Sequence, residues 1–244
     1  MFAADAPDDP PRLVLSEPVV RGRLVRRYKR FFVDVEIDGV IHTAHTSNTG
    51  AMTGMLIEGA PVLLTRHDPK PGKKATRKLP LEVEAIHVGT TWVVCNTIRA
   101  NRVAGVFLRA GVFAELGNDV RGSEVTVGNS RIDFLVGERL VEVKSVTLRE
   151  GNAAIFPDVP SERALKHAQL LLAHAPLSAA LFLSQRADVD CVAPAARIHP
   201  AYATALQAAA DAGVLMCAAR VVVDDSDPDR VALVFGGILP VVFS

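Results

Sequence analysis

Two acids and a lysine on neighbouring stretches carry the most chemically suggestive spacing in the chain. In Ser130-Arg131-Ile132-Asp133-Phe134-Leu135, and again in Leu140-Val141-Glu142-Val143-Lys144-Ser145, polar and apolar residues alternate. Alternation at period two places Asp133 on the face opposite Ile132 and Phe134, and Glu142 with Lys144 on the face opposite Val141 and Val143. A hairpin closing around Gly137 then sets Asp133 beside Glu142 and Lys144. Side-by-side carboxylates repel, and a hard divalent cation such as Mg²⁺ or Mn²⁺ relieves the repulsion by taking oxygens from both. Such an ion polarises a phosphate and lowers the pKa of a bound water, while a lysine stabilises developing charge. These are the requirements of phosphodiester hydrolysis. Glu124, one predicted strand earlier, is a candidate third metal ligand. Further on, Arg163 and His167 stand four residues apart with Lys166 between them, so the first two share a helix face and could hold the scissile phosphate. His167 therefore joins Asp133, Glu142 and Lys144 as a catalytic candidate. Each feature also has a plainer reading: Glu-x-Lys as a surface ion pair, and Glu162 with Lys166 as a pair on a capped surface helix.

The elements that must position these groups fall into two parts. Residues 24–37 are rich in Val, Phe, Tyr and Ile, and Asp38-Gly39 is a hairpin signal leading into 40–46. Asn48-Thr49-Gly50 is a turn, 62–65 another short strand, and 67–78, with Pro, Gly and four lysines, an exposed loop before a strand at 81–87. Short strands at this spacing predict a small β-barrel, with the oligonucleotide-binding (OB) type a candidate. The pattern changes at Asn96-Thr97, a helix cap. Ile98, Val103, Val106, Phe107, Ala110, Phe113 and Leu116 recur at helical spacing, with a bend expected near Gly105 or Gly111. Strands at 124–127, 131–136 and 140–147 follow, then a helix at 161–173, a strand at 179–184, a helix at 200–212 and a strand at 214–223. This order predicts an α/β or α+β domain beginning near residue 96.

Charge distribution sharpens the reading. The 244 residues carry 27 Lys+Arg and 27 Asp+Glu, a formal net charge of zero, and 49% are hydrophobic. So apolar a chain can bury a core, which excludes a disordered protein. Zero net charge on its own argues against a polyanion partner as well, but the sum hides an asymmetry. Residues 1–10 carry −3, residues 11–110 carry +8 and residues 111–244 carry −5. The basic block concentrates in Arg27, Lys29 and Arg30, where Tyr28 and Phe31 interleave, and in Arg77 and Lys78. Aromatic rings among cations suit nucleic-acid binding, the rings stacking on bases while the cations hold phosphates, although aromatics in a strand more often face a core. The acidic, Pro-rich residues 1–15 are expected to be a disordered tail without export features. Cys95, Cys191 and Cys217, odd in number and far apart, predict no disulfide framework and a reducing cytoplasm. The most apolar stretch, 170–183, is too short to span a bilayer.

Several segments together resemble the sugar fermentation stimulation protein A family. They are Arg27-Tyr28-Lys29-Arg30-Phe31, Asn48-Thr49-Gly50-Ala51-Met52, Arg77-Lys78, Asn96-Thr97, the two strands around Asp133 and Glu142, Phe156-Pro157-Asp158, Glu162-Arg163 and Lys166-His167. The likeness runs in order from about residue 20 to Pro240. It implies an N-terminal OB barrel over 16–95 and a PD-(D/E)XK, restriction-endonuclease-like domain over 96–244. It also implies sequence-nonspecific DNA binding and a candidate regulator of maltose and other sugar metabolism. By position, Asp133, Glu142 and Lys144 match the nuclease-fold motif, and Asn48, Arg163 and Lys166 join the nucleic-acid contacts. Thr46-Ser47 stands where the family has Cys-Pro, and Ala164 where it has Gly.

Two functions follow as expectations. One is a DNA-binding protein, with RNA an alternative partner, that holds its ligand mainly through phosphates. The other is an Mg²⁺- or Mn²⁺-dependent nuclease. They are compatible, since a nuclease must also bind.

Overall fold

The computed structural model describes residues 9–68 and 77–243. Lys70, Lys73 and Lys74 of the predicted basic loop lie outside the described residues.

The first part is a closed barrel. Strands β2 (Val19–Tyr28), β3 (Phe32–Ile37), β4 (Val40–His45), β5 (Pro61–Arg66) and β6 (Leu81–Val88) run in the order β4-β3-β2-β5-β6. A β4–β6 pairing at His45 and Glu82 closes the ring, and β7 (Thr91–Val94) continues from β6. Closure removes the sheet edges that would otherwise template aggregation. Alternate residues fill the interior: Leu24, Val33, Val35, Val62, Leu64, Val83 and Ile86 are buried together. The segment 24–37, read as one strand-rich run, is two strands. Lys29 and Arg30 adopt φ of +44° and +67°, a left-handed pair in the three-residue loop 29–31 that turns the chain between the paired Tyr28 and Phe32.

The second part is a three-layer α/β/α unit. Its sheet has the order β1-β16-β15-β13-β10-β9-β8, built from β1 (Arg12–Val14), β8 (Val120–Val127), β9 (Ser130–Val136), β10 (Arg139–Val146), β13 (Ser178–Ser184), β15 (Leu215–Asp224) and β16 (Ala232–Ile238). Strands β10, β13 and β15 are parallel; β13 and β15 are nearly continuous in apolar residues, as strands covered on both faces must be, whereas β10 alternates and carries Glu142 and Lys144 on one face. A small sheet of β11 (Leu148–Glu150), β12 (Ala153–Phe156) and β14 (Cys191–Pro194) lies beside it. Helix α1 (Thr97–Arg109) covers one face with Val103, Ala104, Phe107 and Leu108. Burying a side chain such as Phe107 contributes about 1.5–3 kcal/mol. Helices α2 (Glu162–Ala173) and α3 (Pro200–Asp211) cover the other with Ala164, Ala168, Leu171, Tyr202 and Leu206.

Two expectations change. The helix predicted to reach Leu116 ends at Arg109, and Gly111, at φ +70°, turns the chain so that Phe113 and Leu116 reach the core from a loop. Residues 12–14, expected within a disordered tail, form β1 antiparallel to β16, so the chain enters the second unit's sheet before it builds the barrel. Among the described residues no helix is long and apolar enough to cross a membrane.

The two parts are joined at the start of α1. Asn96 caps the helix through Ile98 N–H, and its Oδ1 also accepts the Ser47 hydroxyl at 2.9 Å, while the Thr97 N–H donates to Ser47 Oγ at 3.1 Å. Below the cap, buried Arg99 of α1 pairs with Glu84 of β6 at 2.7 Å and with Glu17 at 3.0 Å.

Candidate nucleic-acid and metal site

The hairpin β9–β10 explains how Asp133 meets Glu142. Its antiparallel register runs from Arg139↔Val136 to Val141↔Phe134 and stops there. The next residues, Asp133 and Glu142, carry the charges. Instead of a further ladder bond, the Val143 N–H donates to the Asp133 side chain, Oδ2, at 2.7 Å. Its other oxygen, Oδ1, accepts the Asn101 amide of α1 at 2.7 Å. Asp133 is thus fixed by its own hairpin and by the helix behind it. Burial, followed by the charge of Glu142, holds its carboxyl above the usual range.

Glu142 is 3% exposed on the face of β10 turned towards α2. Its Oε1 accepts Lys144 Nζ at 2.7 Å and contacts His167 Nδ1. Burial works to raise this carboxyl, but the His167 hydrogen bond and the Lys144 charge outweigh it and leave it below the usual range. Its other oxygen, Oε2, is buried with no hydrogen-bond partner among the described residues. A buried ionised oxygen left unpaired is costly, so this atom marks a place for a cation. Asp133 keeps lone pairs beyond its two hydrogen bonds, and two carboxylates are the hard donors Mg²⁺ or Mn²⁺ prefer. The pair therefore fits a divalent ion. Among the described residues no group of three or more His, Cys, Asp or Glu could hold a metal, so solvent or substrate oxygens must complete the shell, as is usual for Mg²⁺.

The structure does not bring Glu124 to this pair. It is exposed, pairs with Arg131 at 3.3 Å, and lines a smaller recess that meets the site at Asp133 and Asn101. His167 stands behind Glu142 on the buried face of α2, with Ala164, Ala168 and Leu171. It orients Glu142 and does not line the cleft.

The cleft above these groups has a volume of about 500 Å³ and is walled by both parts of the molecule. Glu142 and Lys144 form its floor with Asp133; Arg30, Thr49 and Gly50 come from the barrel; Phe156, Asp158, Val159 and Arg163 face them. Gly50 packs closely on Asp158: a Cβ there would lie 2.1 Å from Asp158 Oδ2, so any larger residue would displace that carboxylate. That carboxylate instead accepts the Ala51 N–H at 2.9 Å and ties one wall to the other.

The predicted basic contacts separate into two kinds. Arg30 and Arg163 are exposed in the cleft, Arg30 with its Nε donating to Thr49 O at 3.0 Å; Lys29 is exposed at the hairpin tip, and Lys78 and Lys166 are exposed outside the cleft. Arg27 holds loop carbonyls: its guanidinium donates to Asn48 O at 2.9 Å, Gly50 O at 3.0 Å and Arg30 O at 2.7 Å. Asn48 is buried, accepts the Gly50 N–H at 2.8 Å and so shapes the turn, and it also lines the cleft. Tyr28 packs against Phe32 with its hydroxyl on Asp34. Phe31 is 40% exposed and stacks on His45 with an interplanar angle of 5°. Arg77 pairs with buried Glu82.

Sequence reasoning missed Asn101, Tyr202 and the position of Asp158. Tyr202 is buried against Phe156, its hydroxyl unpartnered among the described residues, and burial, then the Glu142 charge, raises its pKa. Asn101 is one polar residue on an amphipathic helix, and nothing in its spacing singles it out. Asp158 acts across 107 residues of chain.

Comparison with known proteins agrees with this geometry. Residues 25–95 match the SfsA N-terminal OB domain and residues 98–227 the sugar fermentation stimulation protein RE domain. A sugar fermentation stimulation protein homolog from Syntrophotalea carbinolica is 44% identical over 216 residues, covering 84% of this chain and 91% of its own. One from Rhodospirillum centenum is 42% identical over 209 residues, covering 81% and 88%. The structure of Pyrococcus furiosus SfsA in complex with Ca²⁺ superimposes with a TM-score of 0.80 at 26% identity, covering 94% of this chain and 98% of that one.

Proposed function

The chain belongs to the sugar fermentation stimulation protein family, and from that premise we propose that it binds nucleic acid without sequence preference and hydrolyses phosphodiester bonds with a divalent cation. The observation that carries this reading is the buried, unpartnered Oε2 of Glu142 beside Asp133, at the floor of a cleft whose walls carry Arg30 and Arg163. That the Pyrococcus furiosus relative was solved with Ca²⁺, another hard cation, supports it.

Each side chain has a part to play. Arg30 and Arg163 draw the phosphates in from opposite walls. Asp133 and Glu142 would hold Mg²⁺ or Mn²⁺, which when bound supplies a polarised phosphate and an acidified water. Asn101 and the Val143 N–H keep Asp133 in place, and His167 does the same for Glu142. Lys144, its ammonium 5.9 Å from the Phe156 ring centre, brings positive charge to the floor, where negative charge grows on the phosphate oxygens. Recognition rests on phosphate contacts, so affinity falls steeply with salt and varies little with sequence. Any regulation of sugar metabolism would act through the same binding.

The test is cleavage of labelled DNA and RNA in Mg²⁺, Mn²⁺ or EDTA, beside Glu142→Gln. The expected result is metal-dependent product, reduced by about 10²-fold or more in the variant. Binding with no cleavage of any substrate would leave a DNA-binding regulator in place of a nuclease.

A further inference from the structure

We propose that the cleft admits one strand and no duplex, so that the substrate is single-stranded nucleic acid or the unpaired end of a duplex; this rests on the hydrolase reading above.

Depth and volume carry the argument. Glu142 and Lys144 are only 3% and 8% exposed, so the scissile phosphate must descend to them. The space above is about 500 Å³, the size of a site that encloses one small molecule and therefore room for about one or two nucleotides. A B-form duplex is wider than its own major groove of about 12 Å and keeps each phosphate on a rigid rim. It can offer a phosphate to an open surface, but cannot lower one into a walled slot of this volume.

The walls are held. The Ala51 N–H to Asp158 bond joins them at the top, and Gly50 is packed against the same carboxylate. At the base, Ser47 is bonded to Asn96 and Thr97, and the Arg99–Glu84 pair locks α1 to β6. Widening the slot would break several of these contacts at once.

Wall chemistry points the same way. Phe156 presents a half-buried ring, and Val159, 37% exposed, stands at the rim with Pro160. Apolar and aromatic surfaces facing inwards suit the faces of unpaired bases, which a duplex hides in its stack. Arg30 on one wall and Arg163 on the other provide one cation on each side of a single backbone.

The experiment compares a single strand, a blunt duplex of the same sequence and a fork with two unpaired arms, in Mg²⁺ or Mn²⁺. The single strand and the fork arms should be cut at least about tenfold faster than the duplex, the effect of one stacked base, with fork cuts confined to the arms. Equal cutting inside the blunt duplex would overturn the proposal and leave the hydrolase reading intact. No cutting of any substrate would contradict the hydrolase reading instead, and a second measurement then decides the strand preference. A benzophenone on Thr49→Cys, in the cleft wall, should crosslink to the single strand and not to the duplex in Ca²⁺. The unsubstituted protein, whose Cys191 is partly exposed, gives the background. Equal crosslinking to both would overturn the proposal without reference to catalysis.

Discussion

Glu84 and Glu142 are two buried strand glutamates with opposite accounts. Glu84, 1% exposed on β6, has both oxygens engaged: Oε1 accepts Thr65 Oγ1 and Arg99 Nη2 at 2.7 Å each, and Oε2 accepts Arg99 Nε at 3.1 Å. Glu142, 3% exposed on β10, gathers its partners on Oε1 and leaves Oε2 bare among the described residues. One is a strut between two parts of the molecule. The other keeps coordination capacity where the chain supplies no donor, and that difference separates a structural carboxylate from a ligand-binding one.

The sharpest way to break the comparison is to unpair the strut. Arg99→Met leaves Glu84 as a buried charge without its cation, and should cost about 3–5 kcal/mol in urea unfolding. Arg27→Ala should cost less, about 1–2 kcal/mol, because it strips the loop at 48–51 of its hydrogen bonds; it should also slow cleavage by displacing Gly50 from the cleft wall. Glu142→Gln should cost about 1–2 kcal/mol, since it relieves an unpaired buried oxygen but strips buried Lys144 of its counter-charge while leaving it an acceptor, and it should abolish the response to metal. Asp34 gives a pH-dependent variant of the strut. Burial acts to raise its carboxyl, but hydrogen bonds from Arg26, Thr43 and Tyr28 hold it below the usual range. Its contribution is therefore full above the unfolded pKa, about 3.9, and is lost as pH falls through the lower folded value. The gap in melting temperature between the protein and Asp34→Asn should be constant near neutrality and close in acid. Smallest of all, Arg21→Ala breaks an exposed pair with Asp225 and should move stability by less than about 0.5 kcal/mol.

What the sequence made legible follows the range of the forces involved. Alternation in β9 and β10 assigned faces to Asp133, Glu142 and Lys144 because a strand's periodicity is local. The barrel was legible from its turns and the second domain from its helix caps. Several features were not. The hairpin at Lys29-Arg30 was hidden because two cations in left-handed conformations look like nothing in sequence. Strand β1 was hidden because three residues have no period, and its partner lies more than two hundred residues away. Arg27 looks like a ligand contact by type, yet backbone carbonyls engage its guanidinium. Glu124 is close in sequence to Asp133 and shares a smaller recess with it, but its exposed side chain pairs with Arg131. For β1 and Arg27 the deciding partner is a residue distant in the chain or a backbone group.

The most direct test of the central claim is thermal unfolding with and without Mn²⁺ or Ca²⁺, for the protein, Glu142→Gln and Asp133→Asn. A cation held by these two carboxylates stabilises the folded state by mass action, by about 2.7 kcal/mol at a hundredfold excess over Kd. The melting temperature should rise with metal in the protein and stay unchanged in both variants. An equal rise in all three would contradict the assignment of Asp133 and Glu142 as the metal site.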